Sequence, residues 1–384
     1  MKGKTRYARE TFRLYLPPTV GYNYPHLLNL LRKYGVDKGL HGRAFIVSAI
    51  SMIGVPFRIY ERFAYDKKAE KVDFKEPPVF ILGHWRSGTT HLHNLLCQDP
   101  LASFVTTYQS VFPDQTLAAG SRFLFKNIMK MIMPLKRAGD NIKLNTEYPQ
   151  EEEFTLGARN PVCFYYFFYY PELITKFYDQ YLNFSTSDDL TRNTFIADYK
   201  RVINKAQLYS GNQRFLSKNP ANTARIPLLL EMYPDARFIH IYRNPVDVIL
   251  STRHFFSHMM PGLNLHKIDF ESVNSDIFDI YNRMMHDYLE TRDLIPEGNL
   301  AEVRYEELSK NPEQEIKRIY DQFGFEGYEK ASPLVQKYAE AKRAYVKNKY
   351  SIKKSLLDEI LSNVEFTMKE WNYDIPGNLD IVDS

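Results

Sequence analysis

Residues 79–90 read Val-Phe-Ile-Leu-Gly-His-Trp-Arg-Ser-Gly-Thr-Thr, and they predict a strand, a tight turn and a helix. The apolar run from Val79 to Leu82 has the composition of a buried strand. Gly83 and Gly88 bracket the turn, and the residues after it show the apolar spacing of a helix. A strand that turns into a helix directs backbone N–H groups and the helix dipole at one point, which favours binding of an anion such as phosphate.

The glycine spacing of this loop nearly matches the P-loop of nucleoside-triphosphate enzymes. The position after Gly88 holds Thr89, where such loops place a lysine on the transferred phosphates, and the nearest cation is Arg86. The loop therefore favours a different phosphate ester. A nucleotide kinase with a degenerate loop and an inactive nucleotide-binding protein remain alternatives.

A second strand-to-helix turn is predicted between residues 238 and 251. The stretch from Phe238 to Tyr242 is a candidate strand, and Asn244 followed by Pro245 is a helix-start signal. Arg243 stands at the end of the strand, and Ser251 lies about two turns into the helix. Arginine offers a planar fork to phosphate oxygens and serine adds a hydroxyl donor, so this turn also predicts a phosphate site.

Together the two segments resemble the sulfotransferase family that depends on 3′-phosphoadenosine 5′-phosphosulfate (PAPS). In that family the first loop binds the 5′-phosphosulfate, and an Arg-x-Pro turn with a serine eight residues after the arginine binds the 3′-phosphate. The resemblance assigns these two roles to Arg86, Ser87, Gly88, Thr89 and Thr90, and to Arg243 and Ser251. Arginine at position 86, where many members have lysine, is typical of the bacterial branch.

Two further segments extend the resemblance to about residues 75–370. Residues 302–325 are similar to the family's strand, Tyr-Glu-Glu-Leu turn and helix, which adds Tyr305 to the predicted cofactor-binding residues. Residues 347–351, Lys-Asn-Lys-Tyr-Ser, resemble a C-terminal segment that closes near the cofactor, which adds Lys349. As an alternative, Lys347 and Lys349 are ordinary surface lysines.

Sulfuryl transfer to a hydroxyl needs a base for the hydroxyl proton. Relatives that act on sugars use a glutamate three residues before a phenylalanine, and this position maps onto Glu151, with Phe154 after it. Glu153 is the second candidate. Three consecutive carboxylates are also typical of a solvated helix start, and His84 and His91 are weaker candidates for the base.

Charge that develops on the departing phosphate needs a cation. The sequence offers Arg86 and also Lys218, in a Leu-Ser-Lys-Asn-Pro segment similar to the family's Lys-x-Pro turn after a central strand. The alternative for Lys218 is a solvated loop residue. The reaction requires no metal ion, and we expect no metal site because no His/Cys cluster has metal-ligand spacing.

The acceptor is predicted from apolar residues near these candidates. Residues 161–171 are rich in tyrosine and phenylalanine, and Phe255-Phe256 and Met259-Met260 follow the second phosphate helix. They are either packed core or the wall of an apolar pocket. We expect a small hydrophobic hydroxyl compound, a sterol or a lipid alcohol, with a carbohydrate or glycolipid as the alternative.

Length and composition fit one large enzyme of 384 residues with 44% apolar residues. The net charge of +4 suits an anionic cosubstrate and is too small to indicate nucleic acid. Two cysteines cannot form a disulfide framework, and the N-terminus lacks the apolar run of a signal peptide, so we expect a cytoplasmic protein. The apolar stretch from Ala44 to Phe57 predicts a buried core helix, with peripheral membrane contact as the alternative. The oligomeric state is left open.

The predicted fold class is α/β, with a P-loop-like central parallel sheet flanked by helices. Strands are expected at 79–82, near 215–216, at 238–242 and at 300–303, while residues 120–210 are expected to be helices and loops. We predict a helical N-terminal segment over residues 1–75 and a sulfotransferase domain over 76–384. The resemblance implies a helical cap over the acceptor site.

Overall fold

The computed structural model describes residues 17–134, 144–211, 214–342, 350–377 and 379–382. The chain forms two compact units built from interleaved segments. The first contains Met1–Phe74, Ser103–Gly211 and Phe255–Val273, and the second contains Lys75–Ala102, Asn212–His254 and Asn274–Ser384. The first change of unit falls at residue 75, and the division into domains 1–75 and 76–384 stays a prediction.

The central sheet has five strands in the order β2-β3-β1-β4-β5. They are β1 Val79–Leu82, β2 Ala102–Ser103, β3 Arg214–Lys218, β4 Arg237–Tyr242 and β5 Leu300–Arg304. Strand β1 pairs in parallel with β3 and β4, and β4 pairs in parallel with β5. The four predicted strands and their parallel arrangement are confirmed. The edge strand β2 was not predicted, because two residues carry no periodic signal.

The helices in chain order are α1 Tyr24–Tyr34, α2 His41–Ile53, α3 Val55–Ala69, α4 Thr89–Leu96, α5 Thr107–Val111, α6 Ala119–Ile132, α7 Glu152–Arg159, α8 Ile174–Phe177, α9 Asp189–Ser210, α10 Ile226–Met232, α11 Pro245–Met259, α12 Phe270–Thr291, α13 Tyr305–Lys310, α14 Pro312–Phe323, α15 Tyr328–Lys342 and α16 Lys354–Glu370. Two short parallel strands, β6 Ser351–Lys353 and β7 Asp380–Val382, pair with each other.

The second unit places both predicted phosphate turns at one edge of the sheet. Every residue of β1 is buried, as a parallel strand covered on both faces requires. The carboxyl ends of parallel strands lie on the same side, so the turns after β1 and β4 and the end of β3 meet there. Ile81 of β1 is in register with Lys218 of β3, which brings the predicted lysine to this edge.

The first unit is helical. Helices α5 to α9 lie within it, and among the described residues between 120 and 210 no strand occurs, as expected. One isolated bridge joins Thr106 to Pro149. These helices correspond to the predicted helical cap, and its placement over an acceptor site stays a prediction.

The apolar stretch from Ala44 to Phe57 covers most of α2 and the start of α3, which bend by 44° at their junction. Among the described helices none is by itself long and apolar enough to cross a bilayer, although α2 and α3 taken together meet that criterion by length and composition. The predicted buried core helix is correct for one face only. Val47 and Ser51 are buried, whereas Phe45 and Met52 are exposed.

Candidate active site

The loop after β1 has the backbone of a tight anion-binding turn. Gly83 and Gly88 have φ values of 136° and 105°, and Arg86, which is not a glycine, has a φ of 69°. The Gly83 amide donates to the Thr223 hydroxyl at 2.8 Å, and the Ser87 hydroxyl donates to the His84 carbonyl at 2.7 Å. These bonds hold a conformation that L-residues rarely adopt, so that the loop is fixed before a ligand arrives.

Helix α4 starts directly from this loop, with Gly88 as its N-cap and Thr89 as its first residue. The first amides of a helix have no intrahelical acceptor, and the helix dipole is positive at this end. The side chains of Ser87 and Thr89 are buried here. The turn therefore offers backbone amides and hydroxyl groups to an anion in a partly desolvated place.

The second predicted phosphate turn lies against the first. Arg86 donates through Nε to the Ser251 hydroxyl at 3.0 Å, and Arg243 donates to the Arg86 carbonyl oxygen at 3.4 Å. Arg243 also pairs with Asp247 at 2.7 Å, one helical turn further on. The structure thus brings the two motifs, which are far apart in the sequence, into one cluster of hydrogen-bond donors.

Tyr305 supports this cluster from the start of α13. The guanidinium of Arg243 lies over its ring, 4.7 Å from the centroid. A Cβ added to Gly88 would lie 2.4 Å from Cδ2 of the same ring, so glycine is required at that position. The Tyr305 ring therefore packs against both Gly88 of the loop and Arg243.

The charge of Arg243 is secured by its neighbours. Burial alone lowers the pKa of its guanidinium, but Asp247 and Tyr305 outweigh burial and raise that pKa above its usual value. Its Nε is buried and finds no hydrogen-bond acceptor within the described residues. A buried donor of this kind fits an incoming phosphate oxygen.

Lys218 ends β3 and is 1% exposed, so the alternative of a solvated loop lysine is wrong. The strand extends through Lys218, and its sheet neighbours cover it. The turn that follows β3 is also buried. Its Asn222 donates to the Ser217 hydroxyl at 3.3 Å, and the Thr223 hydroxyl accepts a hydrogen bond from the Gly83 amide. Lys218 is therefore anchored to the same edge as the phosphate loop.

The histidines near the loop are held neutral. Burial lowers the pKa of His84 to about 4, and its Nδ1 lies 2.9 Å from the Trp85 carbonyl oxygen. Burial, aided by Lys342, lowers the pKa of His91 to about 4. For His93, burial and then Lys218 lower the pKa well below its usual value. Protonating any of these rings is costly, which disfavours them as bases at neutral pH.

Glu151, Glu152 and Glu153 are buried, so the alternative of a solvated helix start is wrong. Glu151 is the N-cap residue of α7 and accepts a hydrogen bond from the Tyr165 hydroxyl at 2.6 Å. Glu153 is completely buried and accepts from the Phe164 amide at 2.8 Å. Glu153 therefore anchors the aromatic segment, while Glu151 keeps a small exposed fraction of 8%.

The aromatic segment is a buried cluster in contact with the Glu151 partner. The Tyr165 ring meets Phe168 edge-on at 5.2 Å between centroids, and Phe168 meets Phe256 at 5.6 Å. Phe154, which follows the acidic residues, also contacts Tyr165. Two apolar stretches that are distant in the sequence thus pack into one buried aromatic cluster beside the candidate base, as the packed-core alternative expects.

One predicted site residue lies outside the described residues, and three residues at the site were not predicted. The first is Lys349, whose assignment stays a prediction. Asp247, Thr223 and His93 were missed by the sequence analysis. Only Asp247 carried a readable signal, an acid four residues after an arginine on a helix.

A parallel sheet with two phosphate-type turns at its carboxyl edge is the architecture of P-loop-like α/β proteins. The model of the Sulfotransferase family matches residues 77–330, which is more than half of the chain. The chain therefore belongs to the sulfotransferase family. This confirms the predicted PAPS-dependent sulfotransferase, in place of the nucleotide kinase and the inactive nucleotide-binding protein.

Relatives and solved structures agree with this assignment. The chain is 27% identical over 351 residues to the omega-hydroxy-beta-dihydromenaquinone-9 sulfotransferase Stf3 of Mycobacterium bovis and of Mycobacterium tuberculosis, covering 89% of this chain and 88% of the relative. The fold is similar to that of sulfotransferase STF9 from Mycobacterium avium, with a TM-score of 0.64 and 17% identity over 93% of this chain and 98% of the other. Sulfotransferase STF1 from Mycobacterium tuberculosis gives 0.61 and 16% over 89% and 91%. These proteins are bacterial, in line with the predicted branch.

Proposed function

We propose that this enzyme transfers a sulfuryl group from PAPS to the hydroxyl group of a hydrophobic acceptor, a sterol or a lipid alcohol. The observation that carries the acceptor class is the hydrogen bond between Tyr165 and Glu151, because it joins the candidate base to a cluster of aromatic rings. A charged or strongly polar acceptor would find few polar partners beside that cluster.

The donor fits the second unit. The loop 83–88 and the start of α4 suit the 5′-phosphosulfate, because they offer amides, hydroxyls and Arg86. Arg243 and Ser251 suit the 3′-phosphate, since the buried Nε of Arg243 has no acceptor among the described residues. Tyr305 orients Arg243 by the cation–π contact. We assign Lys349 to the same site on the resemblance alone.

PAPS supplies the sulfuryl group and leaves as 3′,5′-adenosine bisphosphate. Glu151 takes the proton of the acceptor hydroxyl as the acceptor oxygen bonds to sulfur. Lys218 and Arg86 stabilise the negative charge that remains on the 5′-phosphate when its bond to sulfur breaks. The backbone of the loop holds the phosphate in line with the attacking oxygen.

Glu153 is the second candidate for the base, and its buried bond to the Phe164 amide favours a structural role instead. His84 and His91 are disfavoured because their lowered pKa values make them weak proton acceptors. These contacts support Glu151 as the base.

The acceptor class is also supported by a relative. The name of the mycobacterial relative describes a hydroxylated menaquinone derivative, which is a lipid alcohol. An acceptor of this class dissolves in membranes rather than in water. We therefore propose that the enzyme acts at the cytoplasmic surface of a membrane. A carbohydrate or glycolipid acceptor is the alternative, because the acidic segment resembles that of sugar-modifying relatives.

The test is a screen of acceptor pools with PAPS and the purified protein, read by mass spectrometry. One pool holds sterols and prenyl-type alcohols dispersed in detergent, and the other holds oligosaccharides. We expect sulfated products from the first pool. Products from the oligosaccharide pool alone would overturn the acceptor class.

A further inference from the structure

Helix α3 is inverted relative to the helices of water-soluble proteins. Its buried face carries Arg58 and Glu61, which are 4% and 0% exposed. Its outward face carries Ile59, Tyr60 and Phe63, and Phe63 is 88% exposed. A surface helix normally buries its apolar stripe and exposes its charges, so this arrangement calls for an apolar environment outside the protein.

The inward charges are fully engaged, which fixes the rotation of the helix. Arg58 donates to the carbonyl oxygens of Ser51 at 2.7 Å and Gly21 at 3.0 Å. Glu61 accepts from the Leu117 amide at 3.0 Å and pairs with Lys205 at 3.4 Å. Turning α3 to bury Phe63 would break these bonds and expose buried charges, so the outward apolar face is a stable feature of the fold.

Helices α2 and α6 also carry exposed large apolar residues. Phe45 on α2 and Phe63 on α3 are the two most exposed large apolar residues of these two helices. Helix α6 packs beside α3, where Phe57 meets Phe125 edge-on at 5.2 Å. We define the outer apolar surface as the exposed large apolar residues of these helices: Phe45, Ile46, Met52, Ile53, Ile59, Tyr60, Phe63, Phe123, Leu124 and Met131.

The exposed charged side chains on these helices themselves all have one sign. Helices α2 and α6 contain no carboxylate, and the two of α3 point inward, with Asp66 paired to Lys205 at 3.3 Å. The exposed charged side chains on α3 and α6 are Lys67, Lys68 and Lys130. An apolar face with a rim of lysines is complementary to a layer of anionic lipid headgroups above acyl chains.

We propose that the outer apolar surface binds an anionic phospholipid bilayer and lies in its interface without crossing it. The buried charges of α3 are held by protein groups, which suits a helix with only one face in lipid. A second copy of the chain is disfavoured as the occupant, because a two-fold dimer through this face would bring the lysine rims together. Membrane binding would bring the enzyme to the lipid acceptor of the proposed function, and the inference rests on that function. Its test measures binding to vesicles and needs no acceptor.

The test is sedimentation of the full chain with vesicles of phosphatidylcholine alone or mixed with phosphatidylglycerol. We expect binding to the mixed vesicles, and at least about tenfold weaker partitioning for Phe63→Glu and for Phe45→Glu. The matched control is Leu190→Glu on α9, since Leu190 is as exposed as Phe45, at 75%, and should leave binding unchanged. The double variant Lys67→Glu/Lys68→Glu should lose the preference for the anionic lipid.

Two further measurements distinguish a loss of membrane binding from a loss of stability or of catalytic activity. Thermal unfolding of the variants should match the wild type, because the replaced side chains are exposed, and their turnover of a detergent-dispersed alcohol should be unchanged. If the protein binds vesicles but sulfates no hydrophobic alcohol, the proposed acceptor class is refuted and the proposed membrane-binding surface is retained. The inference is overturned if the wild type binds neither vesicle, if Phe63→Glu binds as the wild type does, or if the surface is covered in a dimer that Phe63→Glu dissociates.

Discussion

Arg86 donates a hydrogen bond to Ser251 at 3.0 Å, across 165 residues of sequence. This bond couples the loop predicted for the 5′-phosphosulfate to the helix predicted for the 3′-phosphate. A ligand that engages one turn therefore meets the other already in place, with Arg243 bonded to the backbone of Arg86. Preorganisation of this kind lowers the entropy lost on binding.

Replacing Arg243 or Ser251 by alanine should weaken binding of 3′,5′-adenosine bisphosphate. Loss of a charge-assisted contact costs about 1.5–3 kcal/mol, roughly tenfold or more in affinity. Isothermal titration of the wild type and each variant measures the change. With 5′-AMP, which lacks the 3′-phosphate, the difference between the proteins should vanish. Lys317→Ala, at an exposed surface pair with Asp321, serves as the control. Equal affinity of all proteins for the bisphosphate would refute the assignment.

Glu151→Gln should lower turnover by about 10²-fold and leave bisphosphate affinity near the wild-type value, because it removes the proton acceptor. The glutamine oxygen can still accept the Tyr165 hydrogen bond, so the fold should persist. Steady-state rates and a binding titration measure the two effects. Glu153→Gln is the matched control and should keep its turnover. If Glu153→Gln alone loses turnover, the base lies two residues further on, and if neither variant does, the base lies outside this segment.

Lys218→Ala should also lower turnover by about 10²-fold, through lost stabilisation of the charge on the departing phosphate. Lys218→Arg should restore part of the rate if a cation at the end of β3 is what matters. Single-turnover measurements at saturating PAPS separate this effect from binding. Full activity of the alanine variant would leave Arg86 as the cation.

Stability should fall as the pH drops from about 6.5 to about 4. Burial lowers the pKa of His84 from 6.5 to about 4, so the unfolded chain binds this proton at a higher pH than the folded one. The contribution of His84 to the free energy of unfolding is present above its pKa in the unfolded chain, 6.5, and is lost as the pH falls through its pKa in the folded protein, about 4. This loss amounts to roughly 3 kcal/mol. His26 has the same lowered pKa, about 4, and should add to the effect.

Denaturant unfolding at pH 7 and pH 5 checks this. His84→Asn should show a smaller loss of unfolding free energy between the two pH values than the wild type. His258→Asn, at an exposed position of α11, should behave as the wild type does. An identical pH dependence in His84→Asn would show that His84 is not the group responsible.

The parts of the structure that the sequence predicts well are those written in local patterns. The loop 83–88 and the turn at Arg243 could be located because a strand, a turn and a helix follow one another within a few residues. Their proximity could be expected only from the rule that carboxyl ends of parallel strands share an edge. The contacts between Arg86, Ser251 and Arg243 required the folded chain.

The sequence leaves alternatives open where burial decides the outcome. The acidic residues 151–153 have the same pattern whether the start of their helix faces water or protein, and the packing of the aromatic segment covers them here. For the same reason Lys218 was open to a solvated interpretation until β3 placed it inside the sheet. Helix α3 shows the largest departure, because Glu61 and Arg58 face inward only through partners on distant segments.

Sulfuryl transfer from PAPS is tested most directly with the purified enzyme, one hydrophobic alcohol and either PAPS or ATP with Mg²⁺, with the product identified by mass spectrometry. We expect a sulfate ester with PAPS, formed equally well in the presence of a metal chelator, and no product with ATP. A phosphate ester formed from ATP, or sulfation that stops when metal ions are chelated, would contradict it.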